Sequence, residues 1–392
     1  MVNGNVCILD NGAYLAKVGL NSYEKPRVMP NCVMKAKSER RRAFIGSQIE
    51  ECRDASGLFY MLSFQKGYLV NYDVQKTVWD FMFSPDGVGI NLAEKVLIVT
   101  EPQFNFESNQ EAMTEIFFEE YEIEGIYRTT SANLSAMKYL SDIPNITTCI
   151  VIEMGYSFTH IVPFVKRKRI KEGIRRIDIG GKLLTNHLKE LISYRHLNVM
   201  DESYVVNQIK EDICFVSQDF KRDLKLSKTR ENPIVTEYVL PDFTSIKRGY
   251  VKKKDDNYKD YQMLKLSNER FTIPELLFYP SDIGIRQMGV AESVLDCLKA
   301  CPPCSHHVLV SNIIVTGGCA FFPGMRDRLQ GEIRKLIPDE FKVNVSIPED
   351  PISYPWFGGK ILAETPDFRE NIMTREDYDE NGVQHSVTKF DL

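Results

Sequence analysis

Long apolar runs are missing from this sequence of 392 residues: no stretch approaches the roughly eighteen that span a bilayer, and no leader pattern follows Met1. A membrane span and secretion are therefore not expected, and a soluble protein is. Positive charge is in deficit: 49 lysines and arginines stand against 54 acidic residues, a formal net charge of −5. Long-range attraction of the whole chain to nucleic acid is thus excluded, and only local patches remain, such as Arg40-Arg41-Arg42 and Lys166-Arg167-Lys168-Arg169. Nine cysteines follow no disulfide spacing and fall in apolar segments, as at Cys7, Cys149, Cys214 and Cys297, which fits a reducing compartment. The one metal-like string, Cys301-Pro-Pro-Cys304-Ser-His306-His307, lacks a second ligand pair at finger spacing. It reads as a proline-rich helix end, and no metal site is expected.

What is present suits an ordinary globular protein, with 43% hydrophobic and 26% charged residues. The length exceeds the size, about 250–300 residues, at which one core stops growing, so two lobes with a cleft between them are expected. Near the start an apolar strand, Val6-Cys7-Ile8-Leu9, meets Asp10-Asn11-Gly12 and a second strand through Leu15, Lys17 and Gly19. Asn-Gly between apolar runs signals a tight hairpin turn at positive φ. The same order returns at Thr148-Cys149-Ile150-Val151-Ile152, Glu153-Met154-Gly155 and Ser157 to Val162, an internal repeat. Between the repeats lie a short strand, Lys95 to Val99, and a capping box at Ser108-Asn-Gln-Glu111 that opens an amphipathic helix. A helix begins at Gly180-Gly181, another runs through 205–225, and Asn312 to Thr316 is a strand ended by Gly317-Gly318. The pattern is that of an α/β protein with duplicated halves. Residues 247–259 have no period and read as an exposed insertion, and the tail after Thr374 need not be ordered.

Two hairpins facing each other across a cleft can offer backbone N–H groups to a polyphosphate. Gly12 and Gly155 would let backbone approach the phosphates, Lys17 would supply charge, and Asp10 with Glu153 would hold magnesium through water. Gly317 and Gly318 would lie against the sugar or first phosphate.

These residues resemble a known family. Asp10-Asn11-Gly12-Ala13-Tyr14-Leu15-Ala16-Lys17 is similar to the first phosphate-binding hairpin of the actin family. The likeness continues through Gln65-Lys66-Gly67-Tyr68, Thr100-Glu101-Pro102, Thr159-His160, Lys210-Glu211, Thr316-Gly317-Gly318 and Trp356-Phe357-Gly358-Gly359. It implies an actin-like fold of two duplicated lobes, or four subdomains, around a nucleotide cleft. The smaller lobe would be 1–143 plus 354–392, with 30–66 as its second subdomain, and the larger 144–353. The implied nucleotide ligands are Asp10, Asn11, Gly12, Lys17, Gly155, Lys210, Glu211, Gly317 and Gly318. Further strings, Ser56-Gly57-Leu58-Phe59-Tyr60 and 190–202, resemble a nuclear branch of the family, whose members are subunits of complexes that exchange a variant histone into nucleosomes. The partners so implied are the motor ATPase, a small zinc-finger subunit and nucleosomal DNA. Arg248, Tyr250, Lys252, Lys253 and Lys254 of the insertion are the candidate contacts.

The departures from the family pattern argue against chemistry. After Asp-Asn-Gly, actins place a hydroxyl and a glycine, and this chain has Ala13 and Tyr14. The second hairpin's pattern, Asp-Ser-Gly-Asp-Gly, becomes Glu153-Met154-Gly155-Tyr156-Ser157. Each charge-assisted hydrogen bond lost removes about 1.5–3 kcal/mol of ligand binding. The family's water-orienting glutamine is absent from Thr129-Thr130-Ser131-Ala132, and such a group is typically worth about a hundredfold or more in rate. The expectation is a non-catalytic subunit that requires no cofactor, with magnesium ATP as the one candidate ligand and a weak one. A slow ATPase of the same superfold and a cytoskeletal relative are the alternatives. Residues 33–43 are short where actins dock onto the next subunit, so no homopolymer is expected.

Overall fold

A computed structural model describes residues 5–253, 261–366 and 368–390. Two mixed sheets organise it. In the first, the strands run in the order Met373–Thr374, Gly125–Thr130, Val96–Glu101, Val6–Asn11, Leu15–Leu20, Arg27–Pro30. The second runs Lys168–Arg169, Thr159–Val165, Cys149–Met154, Ile313–Thr316, Val345–Ser346, with Arg175–Ile177 also paired to Thr159–Val165. The two are built alike. In each, a hairpin (Val6–Asn11 with Leu15–Leu20, Cys149–Met154 with Thr159–Val165) adds a parallel strand on its inner side, Val96–Glu101 or Ile313–Thr316. The chain therefore belongs to the α/β class, with the duplication that the two strand-turn repeats announced.

Both central strands are buried on both faces, which is why they read as unbroken apolar runs and not as alternating ones. Helices Ser131–Asp142 and Tyr354–Glu364 fill the space between the sheets. Their backbones cross so closely that a Cβ on Gly358 would sit 1.9 Å from the carbonyl oxygen of Leu134. Trp356, fully buried, packs there with Ile8 and Leu134. Two smaller sheets stand away from this centre. One comprises Ala43–Ile45, Cys32–Lys35 and Phe59–Leu62, and the other Tyr250–Val251, Thr236–Val239 and Met263–Leu266.

Several local expectations fail for identifiable reasons. The helix placed at a Ser108 capping box starts earlier, at Glu107, with Phe106 in the cap position and no side-chain cap, so Ser108 is already inside the first turn. The single helix over 205–225 is two, Ser203–Ile213 and Phe220–Leu226, the second started by the Asp219 carboxylate accepting from the Arg222 amide. The insertion is not wholly irregular: Tyr250–Val251 pair with Thr236–Val239, while 254–259 lie outside the described residues. The described part of the tail is folded. Thr374 and Asp377 form a capping box on the helix Arg375–Asn381, and the buried Arg128 donates to the Ser386 carbonyl at 2.5 Å. That carbonyl helps to satisfy a guanidinium whose ion-pair partner, Glu101, is 3.6 Å away, and the cation anchors the tail.

Candidate functional site

The first hairpin is held from behind by a buried amide network. Asn31 donates to the Asn11 side-chain oxygen at 2.9 Å and to the Gly12 carbonyl at 2.8 Å, Gln75 donates to Asn31 at 2.9 Å, and Ser63 donates to Gln75 at 2.6 Å. Thr100 ties in the parallel strand, donating to Asp10 at 2.7 Å and accepting from the Asn11 amide at 3.0 Å. Gly12 is needed here, though not for the reason the Asn-Gly signal gave. Its φ is not positive, and the loop is longer than a two-residue turn, since Asn11 pairs with Ala16. A Cβ at Gly12 would instead lie 2.5 Å from the Leu15 carbonyl oxygen.

Asp10 and Lys17 face each other across that hairpin and form a buried ion pair at 2.5 Å. The second hairpin is likewise engaged. The Ser131 hydroxyl bonds the Glu153 carboxylate directly. His160, buried behind it, brings Nδ1 to 3.9 Å from the same carboxylate, and neither ring nitrogen has a hydrogen-bond partner among the described residues. Burial would raise the Glu153 pKa, but His160, Ser131 and Lys17 together hold it below the usual range, while burial pushes the His160 imidazole down. The tip backbone is used as well: Gly155 accepts from the Gly181 amide at 3.0 Å and Tyr156 from the Lys182 amide at 2.8 Å. Those first amides of the helix Gly181–Arg195 are thereby taken from any phosphate.

Between the two tips lie two aromatic rings. Tyr14 and Tyr156 stack with centroids 4.7 Å apart and planes at 19°, each projecting from the hairpin of its own sheet. Burial pushes both phenols well above their usual range, so both are neutral. The Tyr14 hydroxyl also accepts from Asn207 at 3.2 Å, a second bridge from one half to the other.

The other sequence candidates fall around this clasp. Lys210 is buried, with its ammonium donating to Asn207 at 2.8 Å, Thr185 at 2.9 Å and the Gly181 carbonyl at 3.3 Å. Glu211, one position on, is exposed and accepts from Asn207 at 2.8 Å. Gly317 adopts φ +91°, and its Cβ would meet the Met154 carbonyl oxygen at 2.4 Å, so it packs the strand end onto the second hairpin; Gly318 faces open space. Asp10, Lys17, Gly155 and Gly317 thus converge, with Lys210 behind them. The basic candidates lie elsewhere. Arg248 pairs with Asp212 at 2.8 Å and Lys252 with Glu237 at 2.9 Å, Tyr250 and Lys253 lie on or beside the same strand, and Lys254 is outside the described residues.

Sequence reasoning missed the residues that join the halves. Besides the tyrosines, Arg176 on the second sheet donates to the Tyr68 hydroxyl and to the Lys66 carbonyl, both at 2.8 Å, and its guanidinium lies over the rings of Tyr68 and Phe158. One signal was available for the tyrosines: near the tip of each hairpin the same residue type replaces a small or acidic residue, two positions after Gly12 and one after Gly155.

In the Cys301–His307 string, Cys301 is buried with its thiol donating to the Cys297 carbonyl at 3.3 Å, and Cys304 is exposed. Among the described residues no three His, Cys, Asp or Glu side chains converge as metal ligands would.

Residues 2–391 match the protein family described as Actin. Actin-related protein 6 of Drosophila melanogaster is 56% identical over 389 residues, which cover 97% of this chain and 98% of the fly protein. Actin-like protein ARP6 of Yarrowia lipolytica is 37% identical over 384 residues, covering 98% and 97%. Actin-related protein 6 of Arabidopsis thaliana is 36% identical over 422 residues, covering 98% and 99%.

Proposed function

Because the chain belongs to the actin family, we propose that it is a non-catalytic scaffold subunit of a nuclear, ATP-dependent chromatin-remodelling complex that exchanges a histone variant into nucleosomes. The observation that carries the non-catalytic part is the Tyr14–Tyr156 stack, which occupies the gap between the two hairpins where a triphosphate would have to lie. Neighbouring groups reinforce it. Asp10 is matched by Lys17, Glu153 by Ser131, and the Gly181 and Lys182 amides by hairpin carbonyls. A polyphosphate would have to break these contacts and unstack the rings before making any of its own. Ser131 belongs to the segment where the family carries its water-orienting glutamine, and here its hydroxyl is engaged by a carboxylate.

The nuclear and chromatin part is supported by the likeness to relatives named actin-related protein 6 and by the resemblance noted in the sequence. On that footing the partners are the motor ATPase, a small zinc-finger subunit and nucleosomal DNA, the compartment is the nucleus, and neither a membrane nor a homopolymer is involved. A rigid body with a permanently latched cleft suits such a role, since its surfaces keep one geometry whatever the nucleotide supply. Purification of the tagged chain from nuclear extract, followed by mass spectrometry, tests it. A stoichiometric remodelling motor is the expected companion, and recovery with cytoskeletal proteins alone would end the proposal.

A further inference from the structure

The strand Phe59–Leu62 is the outer strand of its sheet and, among the described residues, pairs only with Cys32–Lys35. In an antiparallel pair every second residue turns its N–H and C=O away from the partner. Outside that pairing, residues 59–62 make no backbone hydrogen bond to any described residue. Beside this strand lies a cavity of about 350 Å³ between the two halves, lined on both sides and by the stacked Tyr14 and Tyr156. Phe59 and Tyr60 both line it. Leu62 lines it too, so the cavity follows most of the strand's length and is met by residues of both its faces.

The walls specify what would fit. Phe59, 64% exposed on one half, and Met200, 46% exposed on the other, carry apolar surface out of the mouth. Tyr60 and Tyr156 line the inside, and neither hydroxyl has a hydrogen-bond partner among the described residues. Charge at the rim is uneven. Asp201 is matched by Lys37 at 3.0 Å, whereas Lys182, half-buried in the wall, has no carboxylate partner among the described residues. Among the lining residues the surplus is positive, while the Glu202 carboxylate beside them accepts from the Gly57 amide at 3.0 Å.

We propose that this edge takes an extended segment of a partner polypeptide as an added strand, with an aromatic side chain of that segment seated over Tyr14 and Tyr156 and a neighbouring carboxylate facing Lys182. A small molecule would fill the cavity yet leave the strand edge unpaired; a peptide satisfies both. Touching both halves, it would bind the latched body as a unit. The proposal adds to the scaffold role without resting on the loss of ATP chemistry, because its test needs neither nucleotide nor complex.

The probe is a fluorescein-labelled six-residue peptide, acetylated and amidated, with alternating threonine and valine around a central tryptophan–aspartate pair. It is titrated onto the purified chain and read by anisotropy and by hydrogen exchange. Expected are saturable binding tighter than about 1 mM, slowed exchange in the segment containing Phe59–Leu62, and weakening of about tenfold or more in Lys182→Glu and in Phe59→Ser. Both substitutions sit at side chains without hydrogen bonds, and their unfolding midpoints confirm folding. The same peptide methylated on alternate backbone nitrogens should lose binding. Any one of three results overturns the proposal: no saturation by about 1 mM, equal binding of the methylated peptide, or protection of the same segment that rises with protein concentration alone, which would make a second copy the occupant.

Discussion

Tyr14 and Tyr156 meet ring on ring, 4.7 Å between centroids, although each extends from a different sheet and the two hairpins share no strand. Stacking of this kind contributes about 0.5–1.5 kcal/mol beyond the area it buries. Its larger effect is steric. A chain carrying Ala13→Ser, Tyr14→Gly and Tyr156→Asp, which restores the family's residues at these places, should bind magnesium ATP at least about tenfold more tightly than the natural chain. Equilibrium dialysis with labelled ATP measures both. Equal affinities would show that the stack is not what keeps phosphate out.

The natural chain should release phosphate from magnesium ATP no faster than a blank. Ser131, in the segment of the family's glutamine, is bonded to Glu153, and the loss of a water-orienting group is typically worth about a hundredfold to ten-thousandfold. A coupled phosphate assay on protein freed of contaminating ATPases decides it. Turnover at the rate of a conventional actin filament would refute the non-catalytic role.

Arg176 should be the strongest single tie between the halves outside the cleft centre. It makes two hydrogen bonds to the 64–69 hairpin and lies over two rings. Arg176→Met is expected to cost about 1.5–3 kcal/mol in denaturant unfolding and to speed hydrogen exchange around Tyr68. Arg176→Lys should not rescue it, because a lysine cannot match the planar fork and stack together.

Gly67 couples the same hairpin to the second sheet by its lack of a side chain. It has φ +82°, and a Cβ there would come within 2.0 Å of the Phe158 ring; Gly284, at φ +81°, has open space around it. Comparing Gly67→Ala with Gly284→Ala separates backbone strain from collision. Strain alone should cost about 1–2 kcal/mol at Gly284. Gly67→Ala should cost more, and combining it with Phe158→Ala should recover part of the excess. Equal losses at the two sites would mean that the Phe158 contact is slack.

The two hairpins were legible in the sequence because each is local: an apolar strand, an acid, a glycine and a second strand lie within about a dozen consecutive residues. Gly317 was legible for the same reason, at the end of a short β-branched strand. What tied the halves together was not, since Tyr14, Tyr156 and Arg176 acquire their partners only when distant segments are brought face to face. Read alone, Tyr14 is a missing glycine and Tyr156 a missing aspartate. The basic residues show the converse failure. A charge run signals a patch, yet Arg248 and Lys252 have acidic partners in Asp212 and Glu237, the one far away in sequence and the other across the strand pair. Ser108 was misread because a capping motif fixes neither the first turn nor the residue before it, and Phe106 took the cap.

Acid should loosen the second hairpin in two steps of the same sign. The His160 pKa lies below its ordinary 6.5, so the unfolded chain takes up that proton first, and the stability it contributes is present above pH 6.5 and is lost as pH falls towards the folded value. Glu153 lies below its ordinary 4.5, so its contribution is present above pH 4.5 and is lost as pH falls through the lower, folded value. The contribution of these two groups to the denaturant midpoint, followed from about pH 7.5 to 4, should therefore fall throughout. Glu153→Gln should remove the lower step and enlarge the upper one: the amide keeps a bond to Ser131 but withdraws the carboxylate that favours the charged imidazole, and this depresses the His160 pKa further. A Glu153→Gln chain with an unchanged upper step would mean that the carboxylate and the buried ring do not act on each other across their 3.9 Å.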